Sequence, residues 1–571
     1  MLSLGNDLEL GRSTANGKRV MLSRDERSTH LYVCGSTGTG KSKFLENLIR
    51  QDILKSRVHK CGMLLLDPHG SLYDGIMRWM AFHNLDRPVI PIDLRDATTA
   101  ISYNVLRKRD KGDSGVTITN FVQAMAYVWG EGGTNATPLF ARWAHNILRT
   151  LYESGHTLLE AEYLLDATEP DIRRKLVKNL EIRSLIRDWE YSRVLSPKDF
   201  EGEVGSTVNR LRRFLSTQKL RHMFGQDVGG KTLDLEKCLE KGYIVLVNLS
   251  SEGGWISKED SSLFATLLLS DLWVAAQARG KRKGIRPFHV YLDEFQNFVT
   301  PTMAENLDQA RGYGLHMTLA HQFPNQILHA GAHGQQVFDS VMENARSKVV
   351  FQVGTTNLEQ LAKILFMGVL NPEEIKHRLY STKVMDYRKV LLASSGKSSG
   401  RNRGSGYNER SAEAIDPEDP LGRIYLDSTG SSNYEVDSEA RTDGTSEAYS
   451  PVLGKELSSF AYRPLEEQLY LAMATLFEQE QRHCVVRTRD MKSPVSIVAP
   501  TVDDVPIGDE RFKAYLEKML RQTNIAHPVE EVLRQIARRD KQLQKIDAPP
   551  IEEEPISAKR KLVPAEKKKV S

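Results

Sequence analysis

The stretch Gly35-Ser36-Thr37-Gly38-Thr39-Gly40-Lys41-Ser42 constrains this chain more than any other. It follows the apolar run Leu31-Tyr32-Val33-Cys34 and opens the helix-like segment Lys43 to Leu54. G-x-x-x-x-G-K-[ST] between a strand and a helix reads as a phosphate-binding loop. The glycines let the backbone curl so that successive N–H groups converge on phosphate oxygens. The start of the helix adds the positive end of its dipole. Lys41 is expected to reach the β- and γ-phosphates, and the Ser42 hydroxyl to ligate Mg2+. A Gly/Ser/Thr loop matching by accident would not bring both flanks with it, so the chain is expected to bind a nucleoside triphosphate.

At 571 residues the chain is too long for one compact core, and roughly three or four units are expected. Its 78 Lys and Arg against 74 Asp and Glu leave a formal net charge of +4, which neither favours nor excludes a nucleic-acid partner. Any basic surface has to be local. The four cysteines (Cys34, Cys61, Cys238, Cys484) show no metal-ligand spacing. Three lie in or beside apolar segments, as reduced core cysteines do. The N-terminus has no basic stretch followed by an apolar one. The apolar run Leu263 to Ala278 is broken by Asp271 and reads as too short for a bilayer. A cytoplasmic chain with no intrinsic membrane span is expected, recruited at most peripherally to the inner membrane.

Near-continuous apolar strands alternate with helical patterns at His30–Cys34, Gly62–Asp67 and Val89–Asp93. They return at Tyr243–Asn248, Phe288–Leu292, His316–Ala320 and Lys348–Val353. That alternation predicts a parallel sheet covered on both faces. Residues 1–104 and 229–392 are therefore expected to form the two parts of one α/β core. Between them, 105–228 carries heptad-like apolar spacing and reads as an inserted all-helical domain. Residues 393–453 turn Ser/Gly/Asp/Glu-rich and read as a flexible linker. A small α/β segment at 454–505 is expected to complete the core, followed by a helical extension at 506–547. The charged stretch 548–571 reads as a disordered tail.

Hydrolysis needs carboxylates beside the phosphates. Phe288 to Leu292 would deliver Asp293-Glu294 at its carboxyl end, the edge where ligands bind in open α/β sheets. Asp293 would hold Mg2+ opposite Ser42, and Glu294 would orient and deprotonate the attacking water. Met63 to Asp67 is a competitor, since it also ends an apolar strand in an acid, followed by Pro68-His69-Gly70. Two adjacent acids suit hydrolysis better than one followed by proline. Asp67 and His69 are therefore expected in a supporting role. Further on, Ala310-Arg311-Gly312-Tyr313-Gly314 precedes a strand that ends in His321-Gln322. Gln322 at a strand end can sense the γ-phosphate, and Arg311 can act on a neighbouring subunit's nucleotide.

These motifs together resemble the hexameric DNA-pumping ATPases of the HerA/FtsK superfamily. The nearest likeness within it is to the type IV coupling proteins of conjugation and type IV secretion, the TraG type. The resemblance rests on Gly35 to Ser42, Asp67-Pro68-His69-Gly70, Asp293-Glu294-Phe295-Gln296-Asn297, Ala310 to Gly314, Ala320-His321-Gln322, and Asn344 to Phe351. It covers most of residues 28 to 365. It implies a RecA-like P-loop NTPase sheet with an inserted all-helical domain and a C-terminal helical extension, forming a homo-hexameric ring. ATP rather than GTP is implied too, as no N-K-x-D motif stands at a strand end. Arg311 is the implied trans-acting arginine, with Arg346 in reserve. Coupling proteins usually carry N-terminal transmembrane helices, which this sequence does not display before its phosphate loop. The same feature suits soluble HerA-type translocases.

The expected activity is ATP- and Mg2+-dependent DNA translocation, with DNA held through its backbone without regard to sequence. A protein partner is expected as well: a relaxase or adaptor, a secretion channel, or a nuclease. The alternative is a nucleotide-gated assembly factor that organises such a partner without processive movement.

Overall fold

A computed structural model of the chain describes residues 7–109, 114–129, 138–166, 170–178, 180–226, 231–282, 284–298, 300, 307–328, 334–398, 406–416, 419–432 and 440–544. It divides into two units: Met1–Val369 with Leu469–Ser571, and Leu370–Gln468. The expected tail, 548–571, lies outside the described residues.

The first unit is built on one eleven-stranded sheet. Its strands are β1 (Leu8–Ser13), β2 (Arg19–Leu22), β3 (Leu31–Cys34), β4 (Gly62–Asp67), β5 (Val89–Asp93), β7 (Ile244–Asn248), β8 (Phe288–Leu292), β9 (Leu315–His321), β10 (Ser347–Phe351), β15 (His483–Arg487) and β16 (Val495–Val498). A short β6 (Thr99–Ile101) lies outside it. The order is β2-β1-β16-β15-β10-β3-β9-β8-β4-β7-β5. From β10 to β5 every neighbouring pair is parallel, and the four strands at the other edge are antiparallel. The central strands β3, β4, β7, β8, β9 and β10 are buried along their whole length. Successive residues serve opposite faces: Leu31 and Val33 join one hydrophobic cluster, Tyr32 and Cys34 the other. This two-sided burial is why the strands read as unbroken apolar runs.

Three helices lie near the phosphate loop along the chain: α1 (Arg24–Arg27), α2 (Lys41–His59) and α3 (Ser71–Phe82). A buried ion pair ties α1 and α2 to β8. Arg27 Nη1 donates to Asp52 Oδ1 at 2.6 Å, and the Tyr291 hydroxyl donates to Asp52 Oδ2 at 2.6 Å. Burial opposes the Asp52 charge, but Arg27 outweighs it and holds the carboxyl down at about 2.

Between β6 and β7 the described residues of 105–228 contain helices and no strand. Trp143 is their pivot, with its ring 5.5 Å from Trp189 and 5.8 Å from Phe200. Their apolar side chains belong to the same cluster as one face of the sheet, so the insertion shares the core of the first unit. The C-terminal residues also fold back onto it. β17 (Ala526–Pro528) pairs with β6, the Tyr515 hydroxyl donates to Leu85 O at 2.9 Å, and Arg539 Nε meets Glu160 Oε1 at 3.0 Å. Of the expected 506–547 extension, the described residues 506–544 are helical with one short strand and strap the insertion to the sheet.

Two expectations change. The run read as too short for a bilayer lies in a helix of 22 residues, Lys258–Arg279, which by length and composition could cross one. Here it is mostly buried, within the apolar cluster that covers one face of the sheet. Its Asp271 sits in the interior beside Arg109, with Arg107 Nη1 at 3.2 Å, the pairing of a core helix rather than a lipid-facing one.

The second change concerns 393–453. The second unit is two long antiparallel pairs: β11 (Ile375–Ser398) with β14 (Ala440–Tyr462), and β12 (Gly406–Asp416) with β13 (Asp419–Ser432). Ladder bonds join backbone groups and need no apolar side chains, so Ser/Gly-rich composition does not preclude them. The short pieces 399–405, 417–418 and 433–439 of that segment lie outside the described residues.

Four buried histidines carry a consequence for stability. His30 accepts from the Met317 N–H at Nδ1 (3.1 Å) and donates to Leu307 O from Nε2 (2.8 Å), so its ring is neutral. Burial lowers the pKa of His30, takes His316 well below its ordinary value, and brings His289 and His321 down to about 3. The unfolded chain therefore binds more protons than the folded one below about pH 6.5. Stability is present above that pH and is lost as pH falls, by up to about 1 kcal/mol per pH unit for His289 and for His321, with His30 and His316 adding in the same direction. Thermal melts are expected to show a falling Tm from pH 7 to pH 5, where most carboxylates stay ionised. A flat Tm across that range would contradict it.

Candidate nucleotide site

The loop from Gly35 to Gly40 leaves the carboxyl end of β3. The Gly35 N–H donates to His321 O at 3.3 Å and the Ser36 N–H to Gln352 O at 2.9 Å, which fixes the loop between β9 and β10. A Cβ on Gly35 would stand 2.6 Å from the Phe351 Cβ, so no other residue fits there. Gly40, at φ 105°, is the N-cap of α2 and supplies no side-chain cap. The first-turn N–H groups of α2 therefore keep no capping side chain, the arrangement that accepts phosphate oxygens. On this observation the loop residues fit a bound phosphate chain.

Facing the loop is the acidic pair. Lys41 Nζ lies 2.6 Å from Glu294 Oε1 and 3.2 Å from Asp293 Oδ1, with all three side chains buried. Asp293 is held by its N–H to Leu66 O at 3.2 Å, against β4. Glu294 takes the left-handed conformation at φ 47°, rare for a residue with a Cβ and a common mark of functional sites. Burial opposes the charge of Glu294, but Lys41 and hydrogen bonds from Gln296 and Gln322 outweigh it and lower its pKa. Burial raises that of Asp293, with Lys41 opposing and Glu294 adding to it. The Lys41 ammonium is itself stabilised, Asp293 and Glu294 overcoming the cost of burial.

Gln322, just beyond β9, accepts from the Thr37 hydroxyl at 3.0 Å. Because β9 lies between β3 and β8, it brings this amide between loop and acids. Ser42 is the second residue of α2 and is exposed. Asp67 is fully buried, and its two oxygens accept from the N–H groups of His69 (2.9 Å) and Tyr73 (2.8 Å). It shapes the Pro68-His69-Gly70 turn. Arg311 is not among the assembled residues. It sits before β9, exposed, with Nη2 3.5 Å from Asp25 Oδ1, and Arg489 Nη2 is 2.7 Å from the other oxygen of Asp25. Arg346 is exposed before β10, its N–H donating to Thr29 O at 3.0 Å.

Two contributors escape sequence reading. Gln296 Nε2 donates to Glu294 Oε2 at 2.8 Å and to Gln326 Oε1 at 3.1 Å, bracing the carboxylate. From far along the chain, the Gln481 side chain donates to Gly38 O at 3.2 Å and the Arg482 N–H to Thr39 O at 2.8 Å. Arg482 adopts φ 69° to do so. The DEFQN run offers a signal for Gln296; nothing in the sequence offers one for the Gln481–Arg482 clasp.

Residues 8–107 match the family model described as the central domain of the helicase HerA, and 287–366 match that of the TraM recognition site of TraD and TraG. Two separate stretches of the first unit are thus similar to HerA and TraD/TraG domains. Together the two matches take in the phosphate loop, the acidic pair and Gln322. No curated protein matches the chain by sequence. Among solved structures, unbound TrwBdeltaN70, a bacterial conjugative coupling protein, is 13% identical with a TM-score of 0.46, covering 87% of this chain and 90% of that one. TrwB in complex with ADP and Mg2+ is 14% identical at 0.46 over the same shares. VirB4 of Thermoanaerobacter pseudethanolicus is 13% identical at 0.42, covering 62% of this chain and 87% of that one.

Proposed function

We propose that this chain is a ring-forming, Mg2+-dependent ATPase that moves DNA. The observation that carries the reading is the Lys41 ammonium lying against both Glu294 and Asp293 at the mouth of an uncapped phosphate loop. Phosphates entering the loop would draw Lys41 from the carboxylates and leave Glu294 ionised beside them. Glu294, braced by Gln296, would then orient a water and take its proton. Gln322, already bonded to Thr37 of the loop, would report the γ-phosphate to β9. Ser42 and Asp293 are the residues that would hold Mg2+, which when bound neutralises phosphate charge. Arg311 would act across a subunit boundary, with DNA gripped through its backbone. The family names, a helicase and a site recognising TraM, support DNA and a protein partner as the substrates of such a motor.

The test is ATP turnover by the purified chain without DNA, with single-stranded DNA and with duplex DNA. Stimulation by either DNA, with measurable binding, is the expected result. Turnover indifferent to DNA together with no DNA binding would overturn the translocase. It would favour a nucleotide-gated assembly factor, a reading supported by the Gln481–Arg482 clasp that links the C-terminal residues to the loop.

A further inference from the structure

The β11–β14 ribbon has one apolar face. Residues paired across a ladder point to the same side, and Tyr380 pairs with Leu457, Val384 with Leu453, and Lys389 with Tyr449. A register shift between Val384 and Asp386 brings Tyr387 to the Val384 side, so the stripe continues past that point. The six apolar side chains Tyr380, Val384, Tyr387, Tyr449, Leu453 and Leu457 are between 40% and 65% exposed. The opposite face is more polar, carrying Ser381, Lys383, Asp386, Arg388 and Ser450, with Val452 and Val390 among its apolar members. At aromatic and aliphatic side-chain sizes the stripe offers on the order of 600 Å2. That is at the upper limit for a monomer's largest apolar patch and close to the roughly 800 Å2 each partner gives to a standard interface.

We propose that this ribbon is a self-association arm whose apolar face packs on a second copy of the chain. A two-stranded ribbon by itself is marginal in water. The exposed ion pairs across this one, Lys383–Glu456 at 3.0 Å and Lys389–Glu447 at 2.6 Å, add little. Its order therefore calls for a partner that is always present and equimolar, and an identical chain meets that condition. Nucleic acid fits less well. A strand-tracking groove is uniformly positive and aromatic, whereas this face mixes leucine and valine with Glu447 beside Lys389 and Lys455.

The inference rests on the multi-subunit motor proposed above, and the experiment separates the two. The mass of the full chain is measured by light scattering for wild type, for Tyr387→Glu/Leu453→Glu, and for Ser450→Glu on the opposite face. Wild type and Ser450→Glu are expected to assemble alike, and the double variant to need at least a tenfold higher concentration, with binding of an ATP analogue per subunit retained. A monomeric wild type would sink the ring reading and this inference together. An assembled double variant would overturn the arm alone, and one that had also lost single-stranded oligonucleotide binding would make the face a nucleic-acid platform. Should the double variant fail to bind nucleotide, Tyr449→Cys and Ser450→Cys decide, because the four native cysteines are buried. A bismaleimide is expected to join copies through position 449 more than tenfold faster than through 450. Equal rates, or no joining, would overturn the arm.

Discussion

Glu294→Gln is expected to lower ATP turnover at least about a hundredfold, the lower range for loss of a general base, with ATP affinity unchanged or tighter. The amide keeps an oxygen for Lys41, and a turned Gln296 amide can accept from its NH2, so the site's shape survives. What disappears is the charge that takes a proton. It is also one of the two negative charges competing with phosphate for Lys41, which is why binding should not weaken. Single-turnover hydrolysis and equilibrium binding of an ATP analogue measure the two separately. Turnover within tenfold of wild type would remove Glu294 from the base role. Asp67 would not be the natural substitute, since both its oxygens are already committed to backbone N–H groups.

Much of this site is legible in the amino-acid sequence because its parts are local. The phosphate loop, the apolar strands β4, β8 and β9, and the residues just past their carboxyl ends each lie within a few residues of their own signal. A parallel sheet then collects those ends at one edge. What stays hidden depends on partners far apart in the chain. β1 and β2 carry short mixed segments whose role appears only when β1 pairs with β16, hundreds of residues away. The same distance conceals Gln481 and Arg482 on the loop. The ribbon is hidden for a different reason: composition reports how much apolar surface a segment can bury, whereas β11 and β14 are joined by backbone bonds and leave their apolar face outside. In Lys258–Arg279, Asp271 interrupts the hydropathy of the helix without interrupting the helix, since Arg107 and Arg109 receive its charge.

Arg311→Ala is expected to reduce turnover by about a thousandfold, the lower bound for arginine fingers in GTPases, while nucleotide affinity changes little. The geometry excludes action on its own nucleotide. Arg311 precedes β9 and Gln322 follows it, and seven strand residues put the two at opposite edges of the sheet, roughly 20 Å or more apart. Its guanidinium is exposed and, among the described residues, is paired with Asp25, a carboxylate shared with Arg489, so a neighbour's phosphate can draw it away at little cost. Mixing the two inactive variants is the decisive measurement. In a mixed ring, an Arg311→Ala subunit supplies an intact Glu294 and its Glu294→Gln neighbour an intact Arg311, so turnover should reappear at those boundaries. A finger acting within its own subunit would give no recovery at any ratio. Arg346→Ala is the comparator, exposed before the adjacent strand β10. Recovery in mixtures with Arg346→Ala, and near-normal turnover of Arg311→Ala alone, would transfer the role to Arg346 while keeping its trans character.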